Sequence, residues 1–160
     1  MLLVVADTSP IRYLVQIGQI DLLARIFEEI VIPAVVADEL RHPSAPAVVQ
    51  TWISHLPNWL KVMPMADIDD PLLKALDPGE RAAIALGLSL KADLILIDDR
   101  KGATAALNKG FEITGTLGVL DLAARRRLIN LRDTLSQLKR TNFRYRQEIL
   151  DELLNQQEDG

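Results

Sequence analysis

Acidic residues directly follow two short apolar runs of this sequence. Residues 2–6 are followed by Asp7, and residues 94–97 by Asp98 and Asp99. Uncharged runs of this length are typical of strands in a parallel sheet that helices cover on both faces. If the two strands are neighbours, their acids meet at the carboxyl edge of the sheet, where open parallel sheets bind ligands. Like charges placed together repel unless they share a proton or a cation. We therefore predict a site for a hard divalent ion, Mg²⁺ or Mn²⁺.

The same aspartates have a simpler interpretation, which stays open. An Asp after a strand is often only the N-cap of the next helix. Asp7 could cap a helix through Ser9-Pro10, and Asp98 or Asp99 could cap one that begins near Lys101. Because both strands end in acid, and the second in a pair, the pattern favours a metal site over capping alone.

Two glutamates are further candidates. Asp77-Pro78-Gly79-Glu80 has the spacing of a capping box, which by itself would explain both acids. It does not explain Gly79, since glycine in the first turn of a helix costs up to ~1 kcal/mol and favours close approach of another group. Glu39 borders an apolar stripe that contains Val36 and Leu40, where a glutamate is usually a solvated edge charge.

The composition narrows the functional classes. With 160 residues, 49% of them hydrophobic and 25% charged, the chain has material for one domain with one core. The absence of cysteine excludes disulfide scaffolds, thiolate metal sites and cysteine nucleophiles, and only two histidines are present. Neither a P-loop nor a dinucleotide fingerprint occurs. No signal sequence is recognisable and no apolar run reaches the ~20 residues of a membrane span, so we expect a cytoplasmic protein without membrane contact.

Strands and helices alternate along the chain. Apolar runs predict strands at 2–6, 30–32 and 94–97, with weaker ones at 60–63 and 112–114. Helices are predicted after the first two strands and near 47–55, 82–90, 101–108, 117–126 and 145–154. This alternation predicts an α/β sandwich with a mostly parallel sheet. We expect a single domain over residues 1–156 and a disordered tail at 157–160.

Positive charge is concentrated in one segment. Residues 100–146 carry 11 Lys and Arg against 3 Asp and Glu, whereas residues 1–99 have a net charge of −7 and residues 147–160 of −5. The segregation indicates a polyanionic partner near the basic segment. The candidates for contact with a phosphate backbone are Arg100, Lys101, Arg125 and Arg126. The last two lie at the end of a predicted helix, where they could equally complement its dipole.

Five motifs follow one another along the chain. They are Asp7-Thr8-Ser9-Pro10; Ile32-Pro33 with Val36 and Glu39-Leu40; Leu76-Asp77-Pro78-Gly79-Glu80 with Ala83-Ile84; Leu96-Ile97-Asp98-Asp99; and Thr114-Gly115-Thr116-Leu117-Gly118-Val119-Leu120. In this order and spacing they resemble the PIN-domain nucleases. The resemblance runs from Leu3 to about Leu153 and is greatest to a prokaryotic subfamily related to the VapC-type toxins of toxin–antitoxin pairs.

The resemblance implies a three-layer α/β/α fold and an acidic cluster that holds one or two Mg²⁺ or Mn²⁺ ions and cleaves RNA. The catalytic acids that it implies are Asp7, Glu39, Glu80 and Asp98, with Asp99 beside the last. Of these, Asp7, Glu80 and Asp98 would bind the metal. The residues that would orient a carboxylate, a water or the substrate are Thr8, Ser9, Thr114 and Thr116. A separately encoded antitoxin and a homodimer, with contacts through helices around residues 35–56, are implied as well.

A hypothesis from another class uses the same carboxylates. The chain could be a catalytically silent binding module whose acidic pocket accepts an arginine from a protein partner, because carboxylates pair with arginine in a bidentate manner. A phosphatase or phosphoacceptor is disfavoured, since Asp7-Thr8-Ser9 lacks a second Asp two residues on.

Overall fold

Five parallel strands form the centre of the fold. The computed structural model describes residues 2–64 and 70–159. Its strands are β1 (Val4–Ala6), β2 (Ile30–Pro33), β3 (Leu60–Met63), β4 (Leu94–Leu96) and β5 (Glu112–Thr114). They pair in the order β3-β2-β1-β4-β5, and every neighbouring pair is parallel. The predicted strands are confirmed to within two residues at each end. β1 and β4 are neighbours, which is the condition for their acids to meet.

Helices connect the strands. They are α1 (Thr8–Gln16), α2 (Leu22–Phe27), α3 (Ala34–Arg41), α4 (Ala47–Ile53), α5 (Pro78–Leu90), α6 (Arg100–Asn108), α7 (Thr116–Arg125), α8 (Leu131–Leu138) and α9 (Gln147–Asp159). α2 and α8 are not among the predicted helices. α9 continues to Asp159, beyond residue 156, where the sequence places the end of the domain. Within the described residues, no helix has the length and apolar character needed to cross a membrane.

Alternating side chains along the strands build a core on each face of the sheet. Val4 and Ala6 of β1 face the core shared with α1, α2 and α7, whereas Val5 packs against α5 on the opposite face. β4 alternates in the same way, with Leu96 in the first core and Ile95 under α5 and α6. Successive residues of a strand point to opposite faces, so uncharged runs can be covered on both sides. The fold is the three-layer α/β/α sandwich.

Backbone hydrogen bonds hold the carboxyl ends of three strands together. The N–H of Asp7 donates to the carbonyl of Leu96 at 2.9 Å, and the N–H of Ile97 donates to the carbonyl of Thr114 at 2.9 Å. The residues that follow β1, β4 and β5 therefore lie along one edge of the sheet. Packing of α5 against α3, β1 and β2 completes this edge from the other side.

Candidate active site

Asp7 is buried, and one of its two carboxylate oxygens has no hydrogen-bond partner. The residue is 4% exposed. It precedes α1, but its side chain makes no capping hydrogen bond, and its Oδ1 has no hydrogen-bond partner. Burial, reinforced by repulsion from Asp77 and Glu39, raises the pKa of Asp7 to about 7. The capping interpretation therefore does not account for Asp7.

Glu39 of α3 lies beside Asp7. Thr8 Oγ1 donates to Glu39 Oε2 at 2.5 Å, and the backbone N–H of Gly79 donates to the same carboxylate. A Cβ at Gly79 would lie 2.8 Å from both Glu39 oxygens and 3.1 Å from Asp7 Oδ1, so the two carboxylates lie within about 6 Å of each other. This is the close approach that a glycine at this position predicts. Thr8 thus orients Glu39, and burial raises the pKa of that glutamate.

Glu80 approaches from the first turn of α5. Asp77 caps this helix, because its Oδ1 accepts the N–H of Glu80 at 2.8 Å, as a capping box requires. Glu80 is 6% exposed, and its pKa is raised to about 9 by burial and by the carboxyls of Asp77 and Asp7. A protonated Glu80 can share its proton with Asp77. Without a proton or a cation beside it, a charge at this position is costly.

Asp98 is held at the end of β4 by residues that follow β5. Its oxygens accept the N–H and the Oγ1–H of Thr116, each at 2.7 Å. A Cβ at Gly115 would lie 2.5 Å from Asp98 Oδ1, so the glycine makes room for the carboxylate. Burial raises the pKa of Asp98, and its charge adds to the repulsion at Asp7. Thr116 is fully buried. Through these hydrogen bonds it orients the carboxylate of Asp98.

Asp99 caps α6. Its Oδ2 accepts the N–H of Lys101 at 3.1 Å and that of Gly102 at 3.4 Å. Its charge also contributes to the raised pKa of Glu80. The capping interpretation therefore describes Asp99, whereas Asp98 is the member of the pair that is fixed beside Asp7.

The donor set fits a hard divalent cation. Four carboxyls with raised pKa values meet at one edge of the sheet: Asp7, Glu39, Glu80 and Asp98. Their ligands are oxygens only, which Mg²⁺ and Mn²⁺ prefer, and Asp7 Oδ1 is a buried oxygen with no partner. Over residues 2–64 and 70–157, no three acidic or histidine side chains converge tightly enough to enclose an ion as they stand. The site is thus acidic and short of positive charge, with side chains that an ion would have to draw closer.

A cavity of about 900 Å³ opens beside Asp98 and Asp99. Besides these two aspartates, the predicted site residues that line it are Ser9, Thr114 and Arg100. The cavity is also lined by Asn142, which no sequence pattern indicated, and by Arg144 and Arg146, two further cations of the basic segment that could track a phosphate backbone. Both arginines lie in the basic segment, residues 100–146, and the charge excess of that segment was the only sequence signal for them. Their place above the carboxyl edge depends on how the segment before α9 folds back over α1.

Three predicted cations lie elsewhere. Arg125 and Arg126 are at the end of α7, about 14 Å along its axis from Thr116 at its start. Arg125 there donates to Asp121 at 3.0 Å. Lys101 lines a separate cavity between α6 and residues 72–76 and does not line the one beside Asp98. Of the four predicted phosphate contacts, only Arg100 reaches the acidic edge.

Comparison with known proteins gives one family. A family model described as a PIN domain, DUF3368, matches residues 3–159. A search of curated proteins finds no match.

Proposed function

This chain belongs to the PIN-domain family, a family of nucleases, and on that premise we propose that it is a metal-dependent ribonuclease that hydrolyses RNA phosphodiester bonds. The observation that carries the proposal is the meeting of acids from four separate elements. Asp7 follows β1, Glu39 lies in α3, Glu80 begins α5 and Asp98 follows β4. Repulsion among buried carboxylates is tolerated at functional sites, where a ligand of opposite charge compensates for it.

The protein's own residues prepare a site for the ion. Asp7, Glu80 and Asp98 would hold Mg²⁺ or Mn²⁺, and Glu39 would be a further ligand or would order a water beside it. When bound, such an ion supplies an activated water and stabilises the leaving oxygen of the phosphodiester. Thr116 holds Asp98 in place, as Thr8 holds Glu39. Because these partners are themselves on regular elements, the carboxylates are positioned before substrate arrives.

The cellular role is the finer part of the proposal. We infer a cytoplasmic toxin of a toxin–antitoxin pair, with RNA as substrate and a separately encoded antitoxin as partner. The VapC-like motifs support this role. Arg100, which is exposed and lines the cavity, supports contact with a nucleic-acid backbone. A homodimer would use α4, where Val48 is 52% exposed, together with Leu56, which is 42% exposed.

A second candidate function is favoured by one specific observation. Asp7 Oδ1 is unpartnered, while in the described part of the chain no three carboxylates enclose a common point. A guanidinium from a partner protein would satisfy such a pocket through paired hydrogen bonds without requiring octahedral geometry. In that case the chain is a catalytically silent binding module.

Cleavage and metal binding separate the two functions. Purified protein should cleave RNA in Mg²⁺ or Mn²⁺, lose that activity in excess chelator, and lose it in Asp7→Asn. The matched control is Asp21→Asn, since Asp21 is an exposed aspartate without a side-chain capping bond. Cleavage that persists in excess chelator contradicts the metal-dependent reaction. Isothermal titration that shows no binding of millimolar Mn²⁺, together with silent nuclease assays, supports the binding module instead.

A further inference from the structure

The cavity beside Asp98 and Asp99 has a wall that the acidic site does not explain. Segment 142–146, which joins α8 to α9, forms this wall opposite the first residues of α1 and α7. We name the space between them the 142–146 groove. Its volume is about 900 Å³. Of the four acids of the site, Asp98 lines it, together with Asp99.

Cations line the groove without carboxylate partners. Arg100, Arg144 and Arg146 all line it. Over residues 2–64 and 70–157, none of the three forms an ion pair with Asp or Glu. Arg144 and Arg146 are exposed, so their charges are available to a ligand that carries negative charge at regular intervals.

Aromatic rings lie between these charges. Tyr145 separates the two arginines, is 40% exposed and lines the groove. Lys139 Nζ lies 5.8 Å from the centre of its ring. Phe143 packs edge-on against Tyr13 of α1, with ring centres 5.1 Å apart. A flat exposed ring flanked by cations is the arrangement with which proteins stack an unpaired base while holding its phosphates.

The wall is anchored at both ends. Phe143 is fixed on Tyr13 by the ring contact, and its N–H donates to Thr141 Oγ1 at 3.1 Å. On the other side, Leu150 of α9 is 1% exposed and belongs to the main core. Only three residues, 144–146, lie between Phe143 and the start of α9 at Gln147. The groove is therefore shaped before any ligand enters it.

We propose that the 142–146 groove binds a single-stranded stretch of nucleic acid that leads to the acidic site, with Arg144 and Arg146 on consecutive phosphates and Tyr145 stacked on one base. This inference rests on the proposed nuclease function. It assigns to the groove the part of the substrate strand that the acids do not contact. A duplex is excluded as the preferred ligand because its bases are already stacked on each other. Poly-glutamate would meet the cations but has no flat ring to place on Tyr145.

Binding in chelator tests the groove separately from cleavage. The probe is a fluorescein-labelled oligouridine of about 12 nucleotides, within the length that one single-strand site covers. Anisotropy is followed with the full wild-type chain and with variants. We expect Arg144→Ala/Arg146→Ala to weaken binding about 10-fold and to reduce the slope of log affinity against log salt by about 1.4, the value for two lost phosphate contacts on a single strand.

Variants of the tyrosine isolate stacking from charge. Tyr145→Ala should weaken binding of the oligouridine at least about 5-fold, and Tyr145→Phe should retain wild-type affinity because the ring remains. An abasic strand of equal length should bind the wild-type chain and Tyr145→Ala equally. Poly-glutamate should not displace the oligouridine at equal charge. All three substituted side chains are exposed, so each variant should fold like wild type, which circular dichroism checks.

The matched control for charge is Arg25→Ala/Lys91→Ala. Both of these side chains are exposed, and they lie at the ends of α2 and α5 and do not line the groove. The proposed binding of a strand in the groove is overturned if this control weakens binding as much as Arg144→Ala/Arg146→Ala. It is also overturned if poly-glutamate competes as well as unlabelled oligouridine. A protein that binds the strand through these residues but cleaves no RNA in Mn²⁺ refutes the nuclease and leaves the groove standing. A protein whose groove variants bind and cleave like wild type refutes the groove alone.

Discussion

Replacing Asp7 by Asn should stabilise the metal-free protein while it abolishes cleavage. The aspartate is 4% exposed, and burial raises the pKa of its carboxyl from 3.8 to about 7. Asn has the same shape and no charge, and its amide can face the carboxylate of Glu39, whose oxygens lie within about 6 Å. A variant that is more stable but inactive cannot be explained by misfolding.

The size of the expected stabilisation follows from the shift in the pKa of Asp7, and it depends on pH. Between about pH 4 and pH 7 the folded protein keeps a proton on Asp7 that the unfolded chain has released, so stability falls as pH rises through this window. Each pKa unit corresponds to about 1.4 kcal/mol. The cost of the aspartate is therefore about 2 kcal/mol at pH 5 and on the order of 4 kcal/mol at pH 8. Asp7→Asn removes this cost at both pH values, so the variant should gain more free energy of unfolding at pH 8 than at pH 5.

Urea denaturation in excess EDTA, at pH 5 and at pH 8, measures this difference. The free energy of unfolding of Asp7→Asn should exceed that of wild type at both pH values, by roughly 2 to 3 kcal/mol more at pH 8 than at pH 5. Asp21→Asn, at an exposed position, should show no such dependence. If Asp7→Asn is less stable than wild type at pH 8, or gains the same amount at both pH values, Asp7 is not a buried charge in need of a cation.

Other perturbations of the edge have distinct expected outcomes. Gly79→Ala places a methyl group 2.8 Å from both Glu39 oxygens, so kcat for RNA cleavage should fall at least about 10-fold while circular dichroism stays unchanged. Asp99→Ala removes the cap of α6 and should lower the free energy of unfolding in urea by about 1 kcal/mol, whereas Asp99→Asn keeps an acceptor and should not. Millimolar Mn²⁺ should raise Tm more at pH 8 than at pH 5, because the ion binds ionised carboxylates, and EDTA should reverse the rise.

The strands and their acids were predictable because both signals are local. An uncharged run such as 94–97 has no face that can meet water, so it identifies a covered strand. The acid that follows it then lies at the carboxyl edge wherever that strand sits in the sheet. Which of Asp98 and Asp99 lies beside Asp7 could not be predicted from the neighbouring sequence. It depended on Thr116, which follows β5 and donates hydrogen bonds to Asp98.

The basic segment shows the opposite case. Its charge excess indicates a polyanion, but the helix that ends in Arg125 and Arg126 carries them away from the acids. Arg144 and Arg146 instead reach the groove, because Phe143 packs on Tyr13 and holds their segment over α1. Charges of one type in one stretch of sequence thus end on different sides of the molecule.

The sequence by itself determined the α/β alternation, the acids at two strand ends and the glycine that another group must approach, since each follows from the chemistry of a few adjacent residues. Only the tertiary structure decided which acids meet, which aspartate of the pair is a cap, and which arginines lie beside them. Those outcomes depend on strand order and on contacts between residues that are far apart along the chain, such as Thr8 with Glu39 and Asp98 with Thr116. No pattern within a single segment carries that information.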